Sequence, residues 1–460
     1  MHWSNICKAV SSVVVVGLFL IMAATETRAV PSFMRQTGQD CYACHTVFPE
    51  LTPIGRAFKL TGYVLNKKGD KCPSYPPLTA MAMFSNTHLD KGLPGLVPPD
   101  IWSRHSLTSD NSNDVIGSPQ QFTLLYAGQI YDKIGAFIQG SYFNTTTSHG
   151  FPMIVDASDI RYANSTQLCD KDLIFGVTVN NDPSVEDVWN TTPAFSFPYA
   201  ISSIAPVPAA TPLIDTLSSQ VGGAGLYFYW NNTIYVLASL YRTADNGITF
   251  PFGAGLRPFA VQVHGALPYW RIAFTHQYGS HSFEIGTFGL VGDTFVGADR
   301  SQPLTDHFTD VAIDAQYQYL RDKHAFSVQT TWIHEDENRS GSFAASAATN
   351  TSDSLDSYKI TGNYYYRSQN CGTIGGSAGF FSITGDTDPL LYSGSANGSP
   401  DSRGVILELD YLPPWKCPYT KLSLQYVIYN KFNGAGTNYD GSGRNASDNN
   451  TLFFLIWTAF

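Results

Sequence analysis

The feature that most constrains the fold of this chain is an alternation of apolar and polar residues that continues from about residue 78 to the C-terminus. In one such segment, Val311, Ile313 and Ala315 alternate with Asp314 and Gln316. Successive side chains of a strand point to opposite faces, so the pattern predicts β-strands with one apolar and one polar face. Strands between lipid and a wet lumen have this pattern, although the strands of a soluble β-sandwich alternate as well.

Composition and loop lengths favour the membrane barrel over the sandwich. Charged residues make up only 14% of the chain and aromatic residues 14%, whereas a soluble domain is roughly 25% charged. No interior apolar run reaches the roughly 18 residues of a membrane-spanning helix. Tight connections such as 132–133 alternate with long ones such as 181–223, as in outer-membrane barrels. We therefore predict an all-β fold, a transmembrane antiparallel β-barrel of about 16 strands, including segments 121–131 and 158–164.

The last residues of the chain support the same prediction. Every second residue from Leu452 to Ile456 is apolar and the chain ends in Phe460, which resembles the last-strand signal of outer-membrane proteins. The opposite face, with Phe453 and Trp457, is also apolar, so we expect it to pack on something inside the barrel. The predicted partner of the outer face is outer-membrane lipid. The net charge of -10 argues against nucleic acid as a partner.

The first 29 residues have the pattern of a secretory signal peptide. Lys8 is the positive residue, 13–24 is the apolar core, and Thr27-Arg28-Ala29 has the form of a cleavage site. The alternative is a retained membrane anchor, for which the core is short. We expect export and cleavage.

A C-x-x-C-H motif, formed by Cys41, Cys44 and His45, lies shortly after the predicted signal peptide. Two thiols about one helical turn apart can add to the two vinyl groups of one haem, and the adjacent imidazole can bind the iron. The alternative is half of a zinc site, but the chain has no second C-x-x-C pair to complete it. The motif therefore predicts one covalent haem c, with His45 as the proximal iron ligand.

The sixth ligand of the iron stays open at this point. The candidates near the motif in sequence are Met34, Met81, Met83, His88 and His105. A Met ligand would raise the reduction potential relative to a second His.

The sequence divides into three parts: a signal peptide at 1–29, a monohaem cytochrome c plug at 30–75, and a porin-like outer-membrane β-barrel at 76–460. The plug is too short for a robust core of its own. A sixteen-stranded barrel is wide enough to leave a lumen. We therefore expect the haem segment to lie in the barrel lumen or on its periplasmic side. Basic residues of the plug, Arg35, Arg56 and Lys59, are expected either to meet haem propionates or to line a polar lumen.

Four further cysteines, Cys72, Cys169, Cys371 and Cys417, lie in or beside connections that we assign to the periplasmic side. That compartment is oxidising. Their positions suit two disulfides, Cys371 with Cys417 and Cys72 with Cys169. The alternative is that all four are unpaired small residues.

Two stretches resemble the fused cytochrome–porin iron oxidases of iron-oxidising bacteria. The first is PSFMRQTG at 31–38 followed by CYACHTVFPELTPIGRAFKLTGY, which ends at Tyr63. The second is VNNDP at 179–183, followed after Ser184 by VEDVWNTTPAF. The resemblance implies a monohaem cytochrome joined to an outer-membrane porin, with iron(II) oxidase activity. It implies extracellular Fe(II) as the electron donor and a periplasmic cytochrome c or copper protein as the acceptor.

Single-electron transfer through one haem needs no catalytic residue beyond the haem and its ligands. Loop carboxylates such as Asp440 and Asp448 are expected either to attract Fe(II) or only to solvate their loops. Two other functions stay open. One is an outer-membrane porin whose haem is structural or regulatory, and the other is a conduit that exports electrons to external acceptors. Sequence alone does not give the direction of electron flow, because reduction potentials determine it.

Overall fold

The computed structural model describes residues 32–37, 39, 41–64, 77–93, 114–143, 153–192, 196–244, 260–368, 370–414 and 419–459. The predicted signal peptide lies outside these residues. The strands within them are β1 (Leu78–Leu89), β2 (Asp114–Tyr131), β3 (Ile134–Phe143), β4 (Met153–Leu168), β5 (Lys171–Asn180), β6 (Val221–Trp230), β7 (Ile234–Thr243), β8 (Val263–His264), β9 (Leu267–Tyr278), β10 (His281–Phe295), β11 (Thr305–Leu320), β12 (His324–Asn338), β13 (Ser352–Ser368), β14 (Gly372–Gly385), β15 (Ser402–Leu412), β16 (Tyr419–Lys431) and β17 (Thr451–Ala459).

The strands form one closed antiparallel β-barrel. Each strand pairs with its neighbours in the chain, and β17 pairs with β1 from Met81 opposite Ala459 to Leu89 opposite Thr451. The short β8 and the longer β9 both pair with β10 and form one interrupted strand. The described barrel therefore has sixteen strands, and the predicted fold class is confirmed.

The two faces of the barrel wall differ as the alternation predicts. Outward-facing residues such as Leu226, Phe228 and Ile272 are apolar and exposed, whereas inward-facing Gln316 and Gln318 are buried. Inward residues are not polar everywhere: Tyr227 of β6 and Leu237 of β7 are buried too. On the final strand the inward residues are the buried apolar side chains of Phe453, Leu455 and Trp457. They pack with Met81, Met83 and Leu125 and with Phe48 of the N-terminal segment. The expectation that this face packs on something inside the barrel is confirmed.

The two ends of the barrel are unlike each other. Tight turns join strands at one end, here called the turn end, where Cys169, Asp170, Asn231 and Asn232 adopt the left-handed conformation that two-residue hairpin turns need. Longer connections join strands at the other end, here called the loop end. The first described residue before β1 and the last described residue of β17 both lie at the turn end.

Four short α-helices occur in the described residues: α1 (Ser32–Thr37), α2 (Cys41–Cys44), α3 (Pro53–Leu60) and α4 (Ser340–Ala344). No helix in the described part of the chain is long and apolar enough to cross a membrane. The helices α2 and α3 belong to residues 41–64, here called the plug segment. Thr52 caps α3 by accepting a hydrogen bond from the amide of Gly55, and Pro53 occupies its first turn.

The plug segment lies inside the barrel and is bound to its wall by polar contacts. The Arg56 guanidinium donates to Gln318 Oε1 at 2.7 Å and to Ser282 Oγ at 2.8 Å. The Tyr63 hydroxyl donates to Asp159 Oδ2 at 2.5 Å. These partners come from β11, β10 and β4, which lie on different sides of the barrel, so the segment fills the lumen from wall to wall.

A second segment, residues 181–192 and 196–220, folds into the lumen and is here called the inner loop. Its residues 181–192 are all buried. The amides of Leu213 and Ile214 donate to Glu335 Oε2 at 2.6 Å and to Asp310 Oδ2 at 3.0 Å, on the wall nearer the loop end. At its other side, Val185 accepts a hydrogen bond from Lys59 of the plug segment. The inner loop therefore occupies the lumen between the plug segment and the loop end.

Candidate haem-binding site

The two motif cysteines lie one helical turn apart. Cys41 and Cys44 begin and end α2, and the amide of His45 continues the turn by donating to the carbonyl oxygen of Cys41 at 2.8 Å. Positions three apart on a helix share one face. Both thiols accordingly line the same cavity as the His45 ring.

The ring of His45 is oriented by one backbone contact. Its Nδ1 atom lies 3.2 Å from the carbonyl oxygen of Pro49. A carbonyl oxygen only accepts, so Nδ1 carries the proton and Nε2 keeps a lone pair that can bind a metal. Burial lowers the pKa of His45 to about 4, against a smaller upward effect of the hydrogen bonds to Pro49 and Glu50. The imidazole is therefore neutral near pH 7, as a metal ligand requires.

The N-terminal part of helix α3 packs against the C-x-x-C-H motif. The Thr52 hydroxyl donates to the carbonyl oxygen of Ala43 at 2.6 Å, and the Thr52 amide donates to the carbonyl oxygen of Cys44 at 2.9 Å. A Cβ atom at Gly55 would lie 2.3 Å from the Cys44 carbonyl oxygen. Only glycine allows the two helices to approach this closely.

About 1280 Å³ of non-atom space, which includes open solvent at the mouth, lies within the cavity. The plug segment and α1 contribute aromatic walls: Phe33 and Phe58 meet edge to face at 4.9 Å between ring centroids. On the other side, Phe48 meets Trp457 of β17 edge to face at 5.0 Å. The cavity is mostly apolar and is walled on one side by the barrel.

Strands at the barrel seam form that wall. The lining residues from the barrel are Thr79, Met81, Leu125, Ala127, Phe137, Tyr419, Trp457 and Ala459. They come from β1, β2, β3, β16 and β17, near the turn end of each strand. The inner loop contributes Asn190, whose side chain also accepts a hydrogen bond from the Leu51 amide at 3.2 Å.

These residues fit a covalent haem. Two thiols at helical spacing, a neutral imidazole with a free Nε2 and flat aromatic walls converge on one cavity. Thioether links and iron ligation need this donor set. In the described ranges as a whole, no group of three or more His, Cys, Asp or Glu side chains is arranged to hold a bare metal ion.

The structure separates the candidates for the sixth ligand. Met81 lines the cavity. Met83 also faces inward, one step farther along β1, and does not line it. His88 lies on the opposite, outward face of β1 because it is an odd number of residues from Met81. The Met34 side chain and His105 lie outside the described residues.

The basic residues of the plug segment have separate roles. Lys59 lines the cavity, and its ammonium donates to the carbonyl oxygens of Val185 at 2.5 Å and Asp187 at 2.8 Å. Burial lowers the pKa of Lys59 to about 8 and that of Arg56 to about 10. Arg56 points to the barrel wall, so for this residue the lumen-lining alternative holds. The Arg35 side chain lies outside the described residues.

The buried carboxylate of Glu50 ties the motif turn to the barrel. It accepts hydrogen bonds from Gln318 at 2.8 Å, Asn363 at 2.9 Å, Ser327 at 3.0 Å and Tyr199 at 3.1 Å. Four donors satisfy a buried anion that would otherwise be costly to desolvate. Sequence analysis missed this residue, because its partners are more than 140 positions away in the chain.

Sequence analysis also missed the ionic contacts of the inner loop. Arg271 on β9 is buried and lies 2.6 Å from Asp314, 3.1 Å from Glu284 and 3.3 Å from Asp187 of the inner loop. The available signal was the number of apolar residues in this connection, among them Val188, Trp189 and Ile214. Exposure of so many apolar side chains to water is unfavourable, so their presence indicates a buried segment.

The loop carboxylates have local partners. Asp440 accepts hydrogen bonds from the amides of Ser442 and Arg444, and Asp448 forms an ion pair with Lys91 at 3.1 Å. Cys169 and Cys371 are exposed at turn-end connections. Their predicted partners, Cys72 and Cys417, lie outside the described residues, so both disulfides stay predictions.

The site and fold together define a closed sixteen-stranded barrel with a C-x-x-C-H cavity in its lumen. No family model matches the chain, and no curated protein is similar to it in sequence. Similar solved structures include OmpT of Vibrio cholerae, at 10% identity over 85% of this chain and 100% of that chain, with a TM-score of 0.42. An anion-selective porin from Comamonas acidovorans is 11% identical over 83% of this chain and 98% of that chain, with a TM-score of 0.42.

A third similar structure is Salmonella typhi OmpF in complex with daunomycin. It is 12% identical over 83% of this chain and 97% of that chain, with a TM-score of 0.45. At these values the similarities carry no conclusion about function.

Proposed function

We propose that this protein is an outer-membrane electron conduit that oxidises extracellular Fe(II). Cys41 and Cys44 would hold one haem c covalently, with His45 as the iron ligand. The observation that carries this proposal is that all three side chains line one mostly apolar cavity inside the barrel. When bound, the haem supplies reversible one-electron redox chemistry at this place. Fe(II) as donor rests on the resemblance of the plug and inner-loop sequences to the cytochrome–porin iron oxidases.

Placement in an outer membrane is supported by the outer surface of the barrel. Large apolar side chains are exposed along its strands, among them Leu240, Phe274, Ile313 and Leu409. Exposure of such a band of apolar side chains to water is unfavourable, whereas the acyl chains of lipid would cover the band.

The filled lumen supports passage of electrons rather than solutes. The plug segment spans the lumen near the turn end, and the inner loop fills the part beyond it. Buried contacts with the wall hold both in place, such as the hydrogen bond from Tyr63 to Asp159 at 2.5 Å and the ion pair of Arg271 with Asp187 at 3.3 Å. This arrangement disfavours the alternative of a transport porin with a structural haem, because the described plug segment and inner-loop residues occupy the lumen through which a solute would pass.

The position of the cavity supports delivery to the periplasm. Its barrel wall lies near the turn end, and short turns face the periplasm in outer-membrane barrels. A soluble cytochrome c or copper protein that docks at this end would approach the cavity closely. The aromatic rings of Phe48, Tyr419 and Trp457 lie between the motif and the barrel wall there.

The test uses the full-length protein, matured with haem in an outer membrane and then mixed with Fe(II). Haem absorption bands are followed in a stopped-flow instrument at acidic and at neutral pH. Rapid reduction by Fe(II), lost in His45→Ala, is the expected result. Reduction by dithionite but not by Fe(II) at either pH would contradict the iron oxidase proposal.

Two further measurements address the alternatives. Single-channel conductance in planar bilayers should be close to zero, whereas an open porin would conduct. The protein is also reduced and then mixed with external Fe(III). Faster electron flow in this direction than from Fe(II) would favour the electron exporter.

A further inference from the structure

We propose that the thioether sulfur of Met81 is the sixth ligand of the haem iron. This inference rests on the proposed function, because it requires haem to be attached at Cys41 and Cys44. Three features of the molecule select Met81 among the open candidates. They are the direction of its side chain, the engagement of the other described donors at the cavity, and the rigidity of β1.

The direction of the side chain comes from the register of β1. Thr79, Met81, Met83, Ser85 and Thr87 are buried and face the lumen, whereas Phe84 and Asn86 face outward and are exposed. Only 4% of the Met81 surface is exposed. Its side chain reaches the same cavity as His45 and both motif thiols.

Among the side chains described at the cavity, the two strongest competing donors are engaged elsewhere. The Lys59 ammonium donates to two carbonyl oxygens of the inner loop, and the Tyr63 hydroxyl donates to Asp159. His45 is the only histidine among the described residues that line the cavity. Met81 therefore offers the soft, neutral donor that suits haem iron and carries no competing hydrogen bond.

The strand β1 holds this donor rigidly. Met81 pairs with Ala459 of β17 on one side and with Thr123 of β2 on the other. A ligand on a strand that is paired on both sides is placed more accurately than one on a loop. Around it, Leu125 and Trp457 belong to the same apolar cluster, and apolar surroundings exclude water that would otherwise compete for the iron.

The proposal has a consequence for the redox potential. A Met ligand raises the potential relative to a second His. A higher potential favours acceptance of electrons from Fe(II), which is itself a weak reductant in acidic solution. A Met81 ligand would therefore set a reduction potential that suits Fe(II) as the electron donor.

The test compares Met81→Leu, Met81→His and the control Met83→Leu in haem-loaded, full-length protein. Met83 faces the lumen in the same cluster but does not line the cavity, and Leu preserves the volume at both positions. Three measurements are made: covalent haem per chain from the alkaline pyridine spectrum, the near-infrared band of thioether-bound ferric haem, and the midpoint potential.

The expected result is that wild-type protein and Met83→Leu show the thioether band. Met81→Leu should keep its covalent haem but lose this band, become high-spin and bind added imidazole. Met81→His should stay low-spin with a lower midpoint potential. The heat-dependent gel mobility of a folded barrel confirms that each variant is folded.

Several results would overturn the assignment. One is a thioether band that persists in Met81→Leu, and another is its loss in Met34→Leu. A wild-type spectrum without the thioether band would also overturn the assignment of Met81. Absence of covalent haem from wild-type protein would instead refute the proposed function itself, so the two failures are distinguishable.

Discussion

The Nδ1 atom of His45 lies 3.2 Å from the carbonyl oxygen of Pro49, four residues later in the chain. This contact places the proton on Nδ1 and leaves Nε2 free, before any metal is considered. The same short turn carries Phe48, which contacts the His45 ring, and Glu50, which binds the barrel wall. One short turn therefore both orients the imidazole and attaches the plug segment to the barrel wall.

We predict that His45→Ala protein, matured in the periplasm, keeps haem bound through the two thiols but loses the low-spin spectrum. The physical reason is the loss of the imidazole that binds the iron. Added imidazole should restore the low-spin bands, which visible spectroscopy detects. The control is His281→Ala, because His281 contacts Tyr317 and does not line the cavity. An unchanged spectrum in His45→Ala would contradict the assignment of this ligand.

Glu50→Ala should release the plug segment from the wall. Four buried donors would lose their acceptor, which costs about 3 kcal/mol or more of the unfolding free energy. Glu50→Gln should cost less because an amide oxygen still accepts. Urea unfolding in detergent and protease cleavage within 41–64 measure the effect. Asp322→Ala, in an exposed turn, is the control and should change neither measurement.

Stability should depend on the protonation of Glu186 in the inner loop. Burial raises the pKa of Glu186 to about 7 from its ordinary 4.5, although Asn180, Ser239 and Tyr241 donate hydrogen bonds to its carboxylate. The folded state therefore binds a proton more tightly than the unfolded state. The stabilisation is fully present below about pH 4.5 and is lost as the pH rises through about 7.

The size of this effect is up to about 3 kcal/mol. It is measured as the unfolding free energy from pH 4 to 8. Glu186→Gln should remove the dependence in this window, because an amide does not titrate. Equal pH profiles of the two proteins would show that Glu186 does not carry the effect.

Gly55→Ala should separate α3 from the haem motif. The added Cβ would lie 2.3 Å from the Cys44 carbonyl oxygen, so the helices must move apart. We expect a loss of about 1–3 kcal/mol and a lower yield of covalent haem. Gly362→Ala on β13 is a matched control, because nothing lies within 4 Å of its added Cβ. Equal haem yields in the two variants would contradict the close packing of α3 on α2.

Cys371 and Cys417 should form a disulfide in the exported protein, as should Cys72 and Cys169. Mass spectrometry of peptides from unreduced protein should then recover each pair as a linked species. Alkylation of Cys169 or Cys371 without prior reduction would show that the thiol is free.

The strand pattern was predictable because residues that face lipid must be apolar, whereas the alternate residues that face the lumen can be polar. The two segments named in the sequence analysis both form strands, but their boundaries differ from the prediction, mainly at the loop end. The segment predicted at 121–131 begins at Asp114, and the one predicted at 158–164 extends over Met153–Leu168. Strand ends that extend beyond the membrane no longer need an apolar face, so the alternation fades there while backbone pairing continues.

The site was predictable only in part. Spacing alone identified Cys41, Cys44 and His45, because their chemistry depends on residues close in sequence. The partners of Glu50 and the choice of Met81 over His88 depend on the barrel register and on strands far away in the chain. The inner loop was predicted as an external connection, and its burial follows from Val188 and Trp189, which have apolar partners only inside the lumen.

The wall of the haem cavity crosses the seam where β17 meets β1, so it joins the first strand of the chain to the last. Trp457 and Ala459 reach the cavity only after the final strand has been synthesised, exported and paired. The pocket is thus completed at the last step of assembly. In an unclosed barrel, the two thiols lack this side of their enclosure.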